Sequence, residues 1–261
     1  MPLTRSLRTV LAAGALARGA VATPARGAHA QSPAEHVAMG DRDRYVNPAA
    51  ALRHYEAAIA GAPNNADALA KASIAAVDVG EATSDKGRQK ALYAQGEQLA
   101  RRAIATAPND ADGHFALARA LGRTAQTLGS RERVKYAGEV RAHALDALKR
   151  DPMHAGALHV MGMWNAEVMR LNGVSRFMAK NLLGGRVFDQ ASWNNAQSYM
   201  ERAVAVEPNR LTHRLDLAGV YLDRNNSAKA KEQLDFIAPA PAREAGDAQF
   251  KRQAEAMRSR L

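Results

Sequence analysis

Histidine, arginine and carboxylate side chains are the residues of this chain with chemistry to offer, and their spacing decides which chemistry that is. Seven histidines fall in the body of the sequence, His36, His54, His114, His143, His154, His159 and His213, and no two stand three or four positions apart. Such a spacing would put two imidazoles on one helical face as a zinc or di-iron pair. The expectation is therefore no metal and no cofactor. No phosphate-cradling glycine loop, nucleophile elbow or His-Glu-x-x-His run occurs. Carboxylates such as Glu132 and Glu139 sit among arginines and lysines, where salt pairing is their ordinary role. Because the 261 residues include no cysteine, disulfides and thiolate chemistry are excluded as well. The chain reads as a binding protein and not as an enzyme, with an enzyme of unrecognised site kept as an alternative.

Charge is the second resource. Between residues 119 and 150, Arg119, Arg123, Arg131, Arg133, Lys135, Arg141, Lys149 and Arg150 face only Glu132, Glu139 and Asp146, which concentrates half of the chain's formal +10 in one stretch. A local excess of this kind attracts an acidic protein or an anionic membrane surface by long-range steering. It also has an ordinary reading as the solvated face of a helix. Aromatic residues make up only 5% of the chain and no RNA- or DNA-reading motif appears, which points away from nucleic acid.

The elements that must position these groups are marked by four prolines. Pro63, Pro108, Pro152 and Pro208 each close an Ala-rich segment and open the next, at intervals of 45, 44 and 56 residues. Twelve, eight and five positions before each proline stand Ala51, Tyr55 and Ala58; Gly96, Ala100 and Ala103; Val140, Ala144 and Ala147; Ala196, Met200 and Ala203. Small residues there let two helices approach closely, while the proline stops one helix without breaking its neighbour. Nine and ten positions after each proline come Ala72-Ser73, Leu117-Ala118, Met161-Gly162 and Leu217-Ala218, an apolar knob beside a small hole. The pattern predicts about four to five antiparallel helix pairs in one all-α domain.

Ahead of that domain, Arg5, Arg8, Arg18 and Arg26 have no acidic counterpart before Glu35 and flank the apolar run Val10–Ala17. With Ala28-His29-Ala30 as a small-x-small cleavage site, residues 1–30 read as a secretory signal peptide, and an organelle transit peptide is the alternative. Export to a periplasmic or secreted location follows, and processing would leave a formal charge of +6, since the leader takes four arginines and no acid. Residues 31–46 show no helical periodicity and read as a linker. The repeat domain is expected over 47–261, with Asn47 capping a helix that opens at Pro48. Ala245, Phe250, Ala254 and Met257 are spaced to make a closing helix at the other end.

Taken together, the prolines and their packing offsets resemble the tetratricopeptide repeat, whose helix pairs recur about every 34 residues. The intervals exceed that period because the helices are longer: Gly129-Ser130 separates one helix from Ala111 to about Leu128 from another over Arg131–Arg150. The third interval also holds an amphipathic insert at 174–188, with Val174, Phe177, Met178, Leu182 and Leu183 on one side. Long repeats plus an insert narrow the match. The runs Asn109–Phe115, Ala118–Arg123, His159–Trp164 and Ala191–Ala196 are similar to the regulator of microtubule dynamics family over roughly residues 47–257. That family's eukaryotic members are associated with microtubules and organelle contacts, whereas an exported chain meets no microtubule.

The resemblance implies a right-handed superhelical solenoid whose concave groove is built by the first helix of each pair. Mapped onto the repeat's inner-wall positions, the partner-binding residues are Phe115, Arg119 and Arg123 on one helix and His159, Met163 and Glu167 on the next. Ala70, Ile74 and Asp78 hold the corresponding places one repeat earlier. Aromatic, methionine and arginine side chains together suit a peptide or helix of acidic and apolar character. The Lys and Asn that clamp a chain-terminal carboxylate in one subclass are replaced here, in order, by Ala70/Ile74, Phe115/Arg119, His159/Met163 and Leu215/Gly219. A dedicated carboxylate clamp is not expected. The function implied is a non-catalytic scaffold or adaptor, with a tether acting through its basic surface as the alternative.

Overall fold

The computed structural model describes residues 31–172 and 186–261. The leader expected over 1–30 and all but the last three residues of the insert lie outside the described residues. Within them run eleven α-helices: α1 (Pro33–Asp43), α2 (Pro48–Gly61), α3 (Ala66–Ala82), α4 (Lys86–Thr106), α5 (Ala111–Gln126), α6 (Ser130–Arg150), α7 (Ala155–Arg170), α8 (Trp193–Val206), α9 (Leu211–Asp223), α10 (Ser227–Ile237) and α11 (Asp247–Arg258). A 3-10 turn, Arg186–Gln190, precedes α8. Successive helices pack as pairs, and the first helices α3, α5, α7 and α9 also touch one another in series, which makes the array a helical solenoid.

Each of the four prolines acts as expected. The residue before it, Ala62, Ala107, Asp151 or Glu207, is the C-cap of its helix and has left the helical region, with φ between −141 and −119° and ψ between 73 and 95°. A proline ring disfavours helical backbone in the residue that precedes it. Two residues further on, Asn65, Asp110 and His154 cap α3, α5 and α7 by accepting backbone N–H bonds on their side chains. Stop and start signals therefore sit within four residues of each other, and the chain reverses without a long loop.

The small residues pack where the register places them. Ala51, Ala58, Ala100, Ala103, Ala144, Ala147, Ala196 and Ala203 are almost fully buried. At Gly96 a Cβ would lie 3.1 Å from the Ser73 carbonyl oxygen, and at Gly162 it would lie 2.6 Å from Met200 Sδ and 3.2 Å from the Met200 backbone nitrogen. Those contacts hold α3 against α4 and α7 against α8 so closely that a side chain at either glycine would have to displace its neighbour. Trp164 is also a packing residue, its indole N–H donating to the Ala137 carbonyl at 2.9 Å and its ring stacked on Phe188.

One expectation is corrected. The segment 31–46, read as a linker, contains α1. Ser32 and Glu35 form a capping box, in which Glu35 N–H donates to Ser32 Oγ at 3.3 Å and Ser32 N–H donates to Glu35 Oε2 at 2.7 Å, and Pro33 occupies the first turn. Gly40 lies buried against the Tyr55 ring, and the Tyr55 hydroxyl donates to Asp41 at 2.9 Å. So α1 and α2 are one more pair of the array. The apolar periodicity was missing because a glycine, not a large side chain, makes α1's closest contact.

The ends of the array meet. Ala245 N–H, between α10 and α11, donates to the carbonyl of Tyr45 in the α1–α2 turn at 2.7 Å, and the Arg210 guanidinium lies 5.6 Å from the centre of the Tyr45 ring. At the far end α11 covers α9 and α10, with Ala254 buried and Phe250 and Met257 packed on the same cluster.

Candidate functional site on the inner helices

Consecutive first helices present charged side chains to one another, in one group between α3 and α5 and a second between α7 and α9. From α3 come Asp78 and Glu81; from α5, Arg119 and Arg123. Arg119 donates to Asp78 Oδ1 at 2.5 Å and to Glu81 Oε2 at 3.2 Å, and Arg123 closes on the other Glu81 oxygen. Only 17% of the Arg119 side chain is exposed. Burial alone would lower its affinity for a proton, but Asp78 and Glu81 outweigh this and raise its pKa. Burial likewise pushes the Glu81 carboxyl up, and the two arginines overcome it and hold it below the ordinary carboxylate range.

A second group lies between α7 and α9, within electrostatic reach of Glu81 through His159. His159 Nε2 stands 3.0 Å from Asp216 Oδ2 and His159 Nδ1 stands 2.5 Å from His213 Nδ1. His213 Nε2 lies 3.1 Å from Glu207 Oε2, an acceptor, so this nitrogen carries the proton and Nδ1 accepts from His159. Both ring nitrogens of His159 thus face acceptors. Burial pushes the His213 pKa down to about 4 against the opposing hydrogen bond to Glu207. The Glu207 carboxyl is held at about 2 by that hydrogen bond and by Arg210. Arg210 reaches on to Glu244 at 3.5 Å, beside the junction where the two ends of the array meet.

Of the six residues expected to bind a partner, Arg119, Arg123 and His159 enter these groups. The two arginines are paired with carboxylates of their own chain. Phe115 is in neither group. Its ring lies 4.6 Å from the His154 ring and covers Gly156, so it packs α5 against the start of α7. Met163 and Glu167 extend along α7: Glu167 pairs with Arg170 at 2.6 Å, which in turn holds Asp223 at 2.6 Å. Met163 borders a cavity of about 330 Å³ between α7, α9 and α11, lined also by Arg170, Leu215, Gly219, Met257 and Arg260.

Sequence reasoning did not find Glu81, Glu207, Arg210, Asp216 or Glu244. No signal within a single helix pointed to them, because the partners of Glu81 and Asp216 stand on other helices. A search confined to single helices also overlooked a group spanning two. His114 on α5 and His143 and Asp146 on α6 bring one ligand atom each to within 4.8 Å of the others. Among the described residues no helix is long and apolar enough to cross a membrane.

Antiparallel helix pairs in register, punctuated by a proline after each second helix, define a helical-repeat protein of the tetratricopeptide type. A thermophilic TPR protein of Thermus thermophilus superposes with a TM-score of 0.61 at 19% identity, over 86% of this chain and 99% of that one. More narrowly, the chain belongs to the regulator of microtubule dynamics family, described as regulator of microtubule dynamics protein 1-3, whose profile matches residues 37–261. That match begins inside α1, in keeping with its place in the array. Regulator of microtubule dynamics protein 1 of Bos taurus and of Rattus norvegicus are each 25% identical over 173 residues, 66% of this chain and 54% and 55% of theirs. The chain spans about half the length of these relatives.

Proposed function

We propose that the chain is a non-catalytic interaction scaffold that takes a short apolar segment with acidic character at the C-terminal part of its inner face. The observation that carries this reading is the cavity between α7, α9 and α11, where the apolar Met163, Leu215 and Met257 lie beside Arg260, with Asp216 and the carboxylate-paired Arg170 also in the lining. Methionine side chains adapt to varied apolar surfaces, and arginine supplies a directional partner for carboxylates. The inner ionic groups support a non-catalytic role in their own way, because Asp78, Glu81 and Asp216 are each engaged by a cation or an imidazole. Through Asp216 the second of them reaches the lining of the cavity.

The test is a photo-crosslinking amino acid at Met257, with the same residue at Lys135 on the exposed face of α6 as the control. Adducts expected at Met257 would be lost when Arg260→Glu is added. Capture that is equal at both positions would remove the groove reading. It would favour the second one, a tether acting through basic charge, which the exposure of Arg133, Lys135 and Lys149 on α6 supports. We also propose export, on the arginine-flanked apolar run of the leader. N-terminal sequencing of the mature protein should begin at Gln31, and a soluble cytosolic form retaining Met1 or Pro2 would remove it.

A further inference from the structure

The pair α5–α6 carries a cluster that the inner-face reading does not use. His143 and Asp146 are three apart on α6 and so share a side of that helix, and His114 approaches them from α5. The two imidazoles are stacked with centroids 5.3 Å apart, and their Nδ1 atoms are 3.1 Å apart. We propose that His114, His143 and Asp146 form a binding site for a divalent transition ion of the zinc class.

The argument begins with tautomers. His114 Nε2 lies 3.0 Å from the Pro108 carbonyl oxygen, which can only accept, so Nε2 holds the proton and Nδ1 presents a lone pair to His143. A ligand histidine whose far nitrogen donates to a backbone carbonyl is the usual outer-sphere arrangement of zinc sites, because that bond fixes the ring and its tautomer. The carbonyl belongs to the repeat-closing proline and is rigidly placed. Around a tetrahedral ion with metal–nitrogen bonds of 2.0–2.1 Å, two ligand nitrogens are about 3.3 Å apart, close to the separation found.

Burial, reinforced by His114, shifts His143 toward the neutral form that a metal requires. Asp146 supplies a carboxylate oxygen from a side chain that is 45% exposed, which leaves a path for the ion and a fourth position for water. Two imidazoles and one carboxylate favour zinc-like ions over the oxygen-seeking magnesium and calcium. Arg150 donates to the Asp146 backbone carbonyl at 2.8 Å and to its Oδ1 at 3.3 Å, and to the Pro108 carbonyl at 2.8 Å. Its charge moderates the affinity while it braces two members of the site. The His36–His54 pair serves as the contrast: its Nδ1 atoms are 3.4 Å apart, but the nearest carboxylate, Asp43, lies 3.8 Å from the opposite nitrogen of His54. No common point exists there for an ion.

The competing structure is a plain N–H···N bond between His114 and His143, and titration calorimetry of the full chain with zinc chloride separates the two. One ion per chain is expected, undisturbed by excess magnesium or calcium, and cobalt(II) in its place should show the visible absorption of a tetrahedral site. His143→Ala and Asp146→Asn should each weaken zinc binding by at least the roughly 10–100-fold that losing even an outer-sphere partner costs. His54→Ala should leave binding unchanged, and zinc should raise the melting temperature of the wild type but not of His143→Ala. If His143→Ala does not fold, Asp146→Asn on the half-exposed face of α6 decides alone. Absence of saturable zinc binding by the folded wild type, or binding that survives these substitutions intact, would overturn the proposal.

Discussion

Arg119 holds carboxylates on two successive turns of α3, and its removal would leave Asp78 and Glu81 facing each other in a partly dehydrated site with only Arg123 to offset them. Breaking one partner out of a buried ionic group costs far more than the group contributes to stability, since the remaining charges lose their compensation. Arg119→Ala is expected to destabilise the fold by about 3 kcal/mol, measured by urea unfolding, and Arg123→Ala by less, because Arg123 is more exposed. His213 gives a pH dependence of definite sign. Its folded-state pKa of about 4 lies below its ordinary 6.5, so the unfolded chain binds the proton first, and the stability present above pH 6.5 is lost as pH falls toward 4. The loss attributable to this one group is about 3 kcal/mol. Below pH 4.5 Glu207 acts in the same direction, as its hydrogen bond from His213 and its pairing with Arg210 are protonated away. A series of unfolding curves from pH 7 to 4 should therefore slope downward, and His213→Gln should flatten the portion between 6.5 and 4.

At the scale of the helices, what could be read in advance was whatever is encoded locally. A proline and the non-helical residue before it are adjacent, and all four copies end their helices as expected, while the Asn, Asp or His cap two residues later occurs in the first three and is replaced by an uncapping Arg210 in the fourth. The helices on either side of Gly129, expected over Ala111 to about Leu128 and Arg131–Arg150, are found at Ala111–Gln126 and Ser130–Arg150. Packing holes were legible for the same reason. Gly162 faces Met200 across the α7–α8 contact, so Gly162→Leu should overpack it at a cost of about 2 kcal/mol. A thermal midpoint that did not move would mean that α7 and α8 are held in some other register. Pairing across repeats was not legible, because Arg119 finds Asp78 and Glu81 across about forty residues, and the sequence shows each charge but not its neighbour. The same limit hid His114 and His143, which are 29 positions apart and meet only because α5 and α6 run antiparallel.

For the whole molecule the decisive segment is α1 with the turn after it, because together they touch both the α2 partner and the opposite end of the array. Asp41 accepts from the Tyr55 hydroxyl and from Lys71 of α3, both at 2.9 Å, and Gly40 covers the Tyr55 ring, which is 1% exposed. The turn after α1 then gives its Tyr45 carbonyl to Ala245 and its ring to Arg210. Arg210 also reaches Glu244, and Glu207 reaches His213, so the junction of the two ends leads directly into the group between α7 and α9. A chain starting at Asn47 would expose Tyr55 and release this junction. Uncovering one large buried side chain alone costs about 2 kcal/mol, and the lost clasp at Ala245 adds to it. Removal of residues 31–46 should therefore lower the melting temperature clearly. Hydrogen exchange should quicken not only in α2, where the cover is lost, but also in α9 and α11, far along the sequence. Were residues 31–46 the linker that their composition suggests, the shortened chain would melt with the parent and exchange at α9 and α11 would not change.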